Sequence, residues 1–177
     1  VSSVAAVSRD DQHRFSKPTV EGIRLIAGFG IEGDSHAGAT TQHRYLMKHD
    51  PTRANLTQVH LLPEELFGDV EGFVLGPGEL GENVTTRGID LMSIPFGARL
   101  HLGPDAVVEI TGMRSPCHQI DKLQKGLLKK LIWKDADGCV VRRGGIMGIV
   151  IEGGVVTPGD DIRIELPDGE PRPLGVV

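Results

Sequence analysis

Glu109-Ile110-Thr111-Gly112-Met113-Arg114-Ser115-Pro116-Cys117-His118-Gln119-Ile120-Asp121 joins two kinds of residue pattern. On its left, Val107–Thr111 is rich in β-branched residues and reads as a strand. On its right, Ile120, Leu123, Leu127, Leu128, Leu131 and Ile132 recur at helical spacing, while Lys122, Lys125, Lys129 and Lys130 face the other way. Ser115 has the chemistry of an N-cap, and Pro116 suits the first helical position because its missing N–H costs nothing there. A strand running into a helix therefore puts Cys117 in the first helical turn. Unpaired N–H groups, the helix dipole, the Arg114 cation and a protonated His118 all favour a thiolate at that point. The competing reading is a small buried apolar cysteine, and this stretch alone leaves both open.

Outward from this junction, Val4–Val7, Glu21–Ile26, Leu56–Leu62, Arg99–Leu102, Gly145–Ile151 and Ile162–Leu166 read as short strands separated by Gly and Pro turns. Twenty-four glycines and only 4% aromatic residues weigh against a helical bundle. The expected fold is mainly β: a closed β-barrel of about seven or more short strands with a few helices packed against it. One domain over residues 1–177 is expected, with its core at about 4–166 and a proline-rich tail at 167–177 that frays.

Two glycine-rich loops hold further polar groups. In Gly28–Gly38, Asp34 and His36 stand two apart and share a face if the chain is extended, so they could bind a metal, or Asp34 could orient the imidazole. An Asx turn in a solvated loop explains the pair equally well. Gly28, Gly30 and Gly33 match dinucleotide-loop offsets, but no helical pattern follows and that reading is discarded. In Gly76–Gly88, backbone amides with Asn83, Thr85 and Arg87 could cradle an anion, or the loop could simply turn a barrel corner. His43, Arg44, Lys48, His49 and Arg53 fall in a polar loop or short helix and read as surface residues, and His60 reads as a packed or half-exposed side chain on its strand rather than a ligand.

A net charge of −5 argues against broad nucleic-acid binding. Two cysteines do not make a disulfide framework, and a Cys117–Cys139 bridge has no support from spacing, so reduced thiols and a cytoplasmic location are expected. No run is long and apolar enough for a membrane span, and Val1–Val7 lacks the basic and apolar regions of an export signal.

Five motifs in order resemble the MOSC family, the module named from the C-terminal part of molybdenum-cofactor sulfurases. They are Gly30–Gly38, Gln58–Leu62, Pro77–Gly88, Glu109–Cys117, and Glu152-Gly153-Gly154 with Pro158-Gly159-Asp160. The resemblance runs from about Val4 to Leu166 and is nearest to the small stand-alone members. It implies a β-barrel-type fold and molybdenum cofactor or sulfur-transfer chemistry at Cys117. Some small members use the cofactor to reduce N-hydroxylated compounds, with the cysteine as a thiolate ligand to molybdenum.

Carried onto this chain, the resemblance makes Cys117 the metal ligand. It assigns Cys117, Arg114 and His36 to catalysis, and Lys17, His36, Arg87 and Arg114 to the pterin phosphate and polar edge. Asp34, Glu82, Asn83, Thr85 and Ser115 would hydrogen-bond the pterin or orient these groups. Pyridoxal phosphate, which the larger sulfurases bind in a separate domain, is not expected here. A separate reductase would deliver electrons, since two cysteines cannot build a four-thiolate cluster. The alternatives are a persulfide carrier on Cys117, loaded by a sulfur donor, and a non-catalytic cofactor-binding module. One departure stands out: Thr57 occupies the place where relatives usually have arginine before Gln-Val, and Arg53 is the nearest upstream substitute.

Overall fold

The computed structural model describes residues 1–177. The chain opens with strands β1 (Ser3–Ser8), β2 (Thr19–Val20), β3 (Ile23–Ile26) and β4 (Gly30–Ile31), then helix α1 (Arg44–His49). Next come β5 (Val59–Pro63), α2 (Glu65–Asp69), β6 (Val84–Arg87), β7 (Arg99–Leu102) and β8 (Ala106–Met113). Short helices α3 (Gln119–Leu123) and α4 (Leu128–Leu131) lead into β9 (Ile132–Lys134) and β10 (Val140–Arg142). The chain closes with β11 (Ile146–Glu152), β12 (Gly154–Val156) and β13 (Ile162–Glu165).

Eight strands form one sheet in the order β13-β7-β8-β11-β5-β6-β1-β2, and the rest make a β12-β3-β4 sheet and a β9–β10 hairpin. The large sheet is mixed, because β5 and β6 run parallel while its other pairs are antiparallel. The expectation of a closed barrel is corrected here: no sheet closes. The ends of β1 and β13 meet at an isolated Ser3–Asp161 bridge, where Val4 N–H donates to Asp160 O at 2.8 Å, Gly159 N–H to Val4 O at 2.8 Å and Ile162 N–H to Ser2 O at 2.9 Å. The contact ends within those residues, and farther along β1 it is β2 that pairs, at Val7 and Ser8. Alternation along a strand identifies which face is buried. It carries no information on whether the two ends of a sheet find each other.

Alternation does place the cores. In β3, Ile23 and Leu25 are buried while Arg24 and Ile26 are exposed. β8, flanked by β7 and β11, is buried along most of its length. Neighbours Leu61 and Leu62 point to opposite faces of β5 and enter separate cores. Leu61 joins the larger one with Val7, Leu100, Val108, Ile110 and Ile146. Leu62 joins Leu66, Leu80, Ile120, Leu127 and Leu131, which dock the helices on the sheet.

Two further expectations change. The helical pattern after Pro116 is not one helix but two, divided at Gly126, whose φ of +90° suits glycine. Asp121 Oδ1 accepts from Gly126 N–H at 3.2 Å and from Leu128 N–H at 2.8 Å, so its side chain ties α3 to the turn that starts α4. Cys117 consequently precedes α3 instead of sitting in its first turn, and Ser115 does not cap it. The end of the tail docks on the sheet beside β8. Met113 N–H donates to Gly175 O at 2.7 Å, Val177 N–H donates to Met113 O at 3.2 Å, and Arg172 stacks 4.6 Å from the Phe96 ring centroid.

Candidate functional site

The segment after β8 and the loop before β2 face one another across a cavity of about 550 Å³. Arg114, Ser115 and Cys117 line one side, and Arg14, Phe15 and Lys17 line another. His36, Arg44, Thr57, His60 and Asn83 complete most of the wall. Its lining holds four cationic side chains, Arg14, Lys17, Arg44 and Arg114, and four imidazoles, those of His13, His36, His43 and His60. It contains no Asp or Glu at all, although the chain carries net charge −5. Such a pocket favours an anion.

Behind this wall lies a network of buried polar groups. Lys17 Nζ lies 3.0 Å from the Asp34 carboxylate, with side chains 1% and 0% exposed. Asp34 also accepts from the N–H groups of Asp10 and His36, each at 3.1 Å, and from Asn83 Nδ2 at 3.2 Å. Burial alone would raise the Asp34 pKa; the hydrogen bond from His36, the Lys17 charge and the Lys17 and Asp10 hydrogen bonds outweigh it. They hold the carboxyl well below the usual range. Burial lowers the Lys17 pKa, and Asp34 opposes that. Lys17 Nζ also lies 3.2 Å from His36 Nδ1, whose side chain is 41% exposed.

Asn83 ties the network to the sheet, accepting from His60 N–H at 3.1 Å and donating to Ser8 O at 3.2 Å. His60 Nε2 lies 2.7 Å from Gly144 O, and burial followed by the Arg114 charge keeps its imidazole neutral. Glu82 is fully buried: Gly78 N–H at 2.6 Å and Thr85 Oγ1 at 3.1 Å both donate to Oε1, while Oε2 has no partner. Burial raises its pKa.

Gly78 holds this corner together. It takes φ +81°, and its carbonyl accepts from Lys17 N–H at 2.8 Å. A Cβ there would collide with Lys17 O. Gly78→Ala is expected to lower stability by about 1–3 kcal/mol, read as a fall in the urea midpoint at unchanged slope. An unchanged midpoint would contradict this packing.

Arg114 is part-buried. Its Nη1 donates to Leu80 O at 2.8 Å, and its guanidinium lies 5.2 Å from the Phe15 ring centroid. Burial lowers its pKa, while Cys117 and Glu82 act in the opposite direction. Cys117 is partly exposed and is the only thiol on the cavity wall; Cys139 is free and exposed on another part of the surface.

Of the residues singled out from the sequence, Lys17, His36, Asn83, Arg114, Ser115 and Cys117 come together on this wall. Asp34, Glu82 and Thr85 stand behind it, and Arg87 is on the surface, paired with Glu64. Sequence reasoning did not place His13, Arg14, Phe15, His43, Arg44 or His60 at the cavity, although His43 and Arg44 are exposed and His60 is buried as expected. A count would have helped, since four of the seven histidines in the chain reach this one cavity. Thr57 lines the cavity while Arg53 does not, and Arg44 of α1 supplies a cation on its rim. No group of three or more His, Cys, Asp or Glu is arranged to hold a metal ion unaided. No helix is long and apolar enough to cross a membrane.

Comparison with known proteins agrees with this architecture. The YuaD protein from Bacillus subtilis superposes with a TM-score of 0.73 at 22% identity, covering 95% of this chain and 98% of its own. YiiM from Geobacillus stearothermophilus gives 0.61 at 15% identity, covering 93% and 75%. YiiM from Escherichia coli gives 0.57 at 18% identity, covering 96% and 72%. At these identities the likeness is one of fold. No curated protein sequence matches the chain. Residues 42–163, more than half of the chain and including Arg114 and Cys117, match the MOSC domain. By that match the chain belongs to the MOSC domain family, which is associated with binding of molybdenum cofactor.

Proposed function

We propose that this cavity binds molybdenum cofactor, with Cys117 as a thiolate ligand to the metal, and that the loaded protein reduces N-hydroxylated compounds. The observation that carries this reading is a carboxylate-free wall of cations and imidazoles with one thiol on it. The chemistry fits the group: a terminal phosphate needs cationic donors, and a metal already held by a dithiolene needs one soft protein ligand, not a complete protein cage. When bound, the cofactor supplies a redox-active metal at the thiol.

The protein's own side chains would do the rest. Arg114, Arg44 and Arg14 offer donors to the phosphate. Lys17 Nζ and the Asp34 carboxylate lie 3.2 and 3.6 Å from His36 Nδ1, so together they position the imidazole on the cavity wall. The side chain is 41% exposed and can hydrogen-bond a bound substrate. Asp34 keeps Lys17 in place and charged. Converting an N-hydroxyl compound to the amine takes two electrons and two protons and releases water, so a separate reductase is the required partner. We place the protein in the cytoplasm, where its two free cysteines stay reduced.

The partial exposure of Cys117 also fits a second reading, a persulfide carrier charged by a sulfur donor. One preparation separates them. Protein from cofactor-producing cells should contain near-stoichiometric molybdenum and oxidisable pterin, and Cys117→Ala should lose most of the metal. Cyanide-labile sulfur on Cys117 without molybdenum would instead establish the carrier. Metal without turnover, given a competent reductase, would leave a non-catalytic binding module.

A further inference from the structure

A second cavity, of about 690 Å³, shares no lining residue with the first. It lies beside the β9–β10 hairpin, which contributes Trp133, Val141 and Arg142. Leu66, Ile89 and Met92 supply an apolar wall. Trp133 is 39% exposed there, a large aromatic surface left in contact with solvent. The charged lining residues differ sharply in what they already bind. Arg143 and Asp69 are paired at 2.6 Å. Glu65 Oε1 accepts from Gly88 N–H at 2.6 Å, and Asp90 Oδ1 accepts from Met92 N–H at 3.2 Å, so each keeps its second oxygen free at the exposed rim. Arg142 is half-buried, and its Nε is sealed from water with no hydrogen-bond partner. No side-chain nitrogen of Arg142 meets a protein acceptor, so its Nη donors are the ones left for a carboxylate in the cavity.

We propose that this cavity is a second binding site, for a small aromatic zwitterion: a flat apolar ring carrying one carboxylate and one ammonium group. The ring covers Trp133 and the apolar wall, the carboxylate meets Arg142, and the ammonium meets the free rim oxygens of Glu65 and Asp90. A simple anion would satisfy Arg142 but face three carboxylates, and a simple amine would leave Arg142 unpaired. Only a ligand of both signs matches a lining that contains both. The volume is ample for a molecule of amino-acid size.

Trp133 is the only tryptophan in the chain, so its emission reports this cavity directly. Titrating the full chain with L-phenylalanine, whose ring is transparent when tryptophan is excited selectively, should give a saturable change in Trp133 emission. Hydrocinnamate and phenethylamine, each lacking one charge, should bind at least about tenfold more weakly. Arg142→Leu should weaken phenylalanine about tenfold and leave phenethylamine unchanged, while Arg44→Ala, in the first cavity, should leave all three unchanged. Absence of a saturable response, equal affinity for the three ligands, or loss of binding in Arg44→Ala with Arg142→Leu unaffected would each overturn the proposal. The three-ligand comparison on the unaltered protein decides the matter even if Arg142→Leu folds poorly. Molybdenum content takes no part in this readout, so its failure is distinct from failure of the cofactor reading.

Discussion

Asp34→Ala is expected to cost the fold roughly 3–5 kcal/mol, because it strands the Lys17 ammonium in a site only 1% exposed to solvent. The same change removes the acceptor for Asp10 N–H, His36 N–H and Asn83 Nδ2, so the loop before β2, the turn at Asp34 and the start of β6 lose their common tie. A Lys17→Met, Asp34→Leu double variant should recover much of that loss, since an apolar pair of similar size carries no stranded charge. The pH dependence follows from the sign of the shift. Asp34 is held below its ordinary value of 3.8, so in acid the unfolded chain takes up the proton first. Its contribution is complete above about pH 4 and fades as pH falls through the lower folded value. Urea midpoints measured across that range should therefore converge for wild type and Asp34→Ala as the solution becomes more acidic. A constant gap between them would contradict the account of this ion pair.

This cluster also marks the limit of what the chain reveals before it folds. Ile23 and Leu25, or Leu100 and Leu102, announce their strands because period-two burial is a local property. The junction at Glu109–Asp121 likewise contained the strand, the cavity-lining Arg114 and the thiol. Other features depend on distant partners. The Gly76–Gly88 loop hides β6, because Val84–Arg87 becomes a strand only through parallel pairing with β5 and antiparallel pairing with β1. Ile132 fits the helical period, yet it is taken by the β9–β10 hairpin once Gly126 has divided the helix. Lys17 and Asp34 are seventeen residues apart, and nothing in their spacing says that they share a charge. His13 and Arg44 have no local signature either; they reach the cavity because two loops converge on it.

Arg114→Met should have the largest effect on the cavity itself. Arg114 is the one cation there that is part-buried and has no carboxylate partner, so its remaining donors are the ones free to meet an anion. Losing a charge-assisted hydrogen bond in such a place should weaken binding of inorganic phosphate by about 10- to 100-fold, measured by calorimetry. Arg87→Met is the matched control. Its guanidinium is on the surface and engaged with Glu64, so phosphate affinity should not move. Equal losses in the two variants would mean that phosphate senses only net charge. The converse experiment, Thr57→Arg, adds a cation to this wall. It should tighten phosphate binding by a similar factor, and unchanged affinity would mean that phosphate does not sit beside Thr57.

The central claim is that Cys117 supplies one sulfur to a metal brought by an anionic cofactor, and the most direct measurement counts sulfur atoms. X-ray absorption at the molybdenum edge, on protein loaded in cofactor-producing cells, should give one more Mo–S ligand in wild type than in whatever metal-bearing fraction Cys117→Ser retains. The same sulfur count in both proteins would contradict the claim.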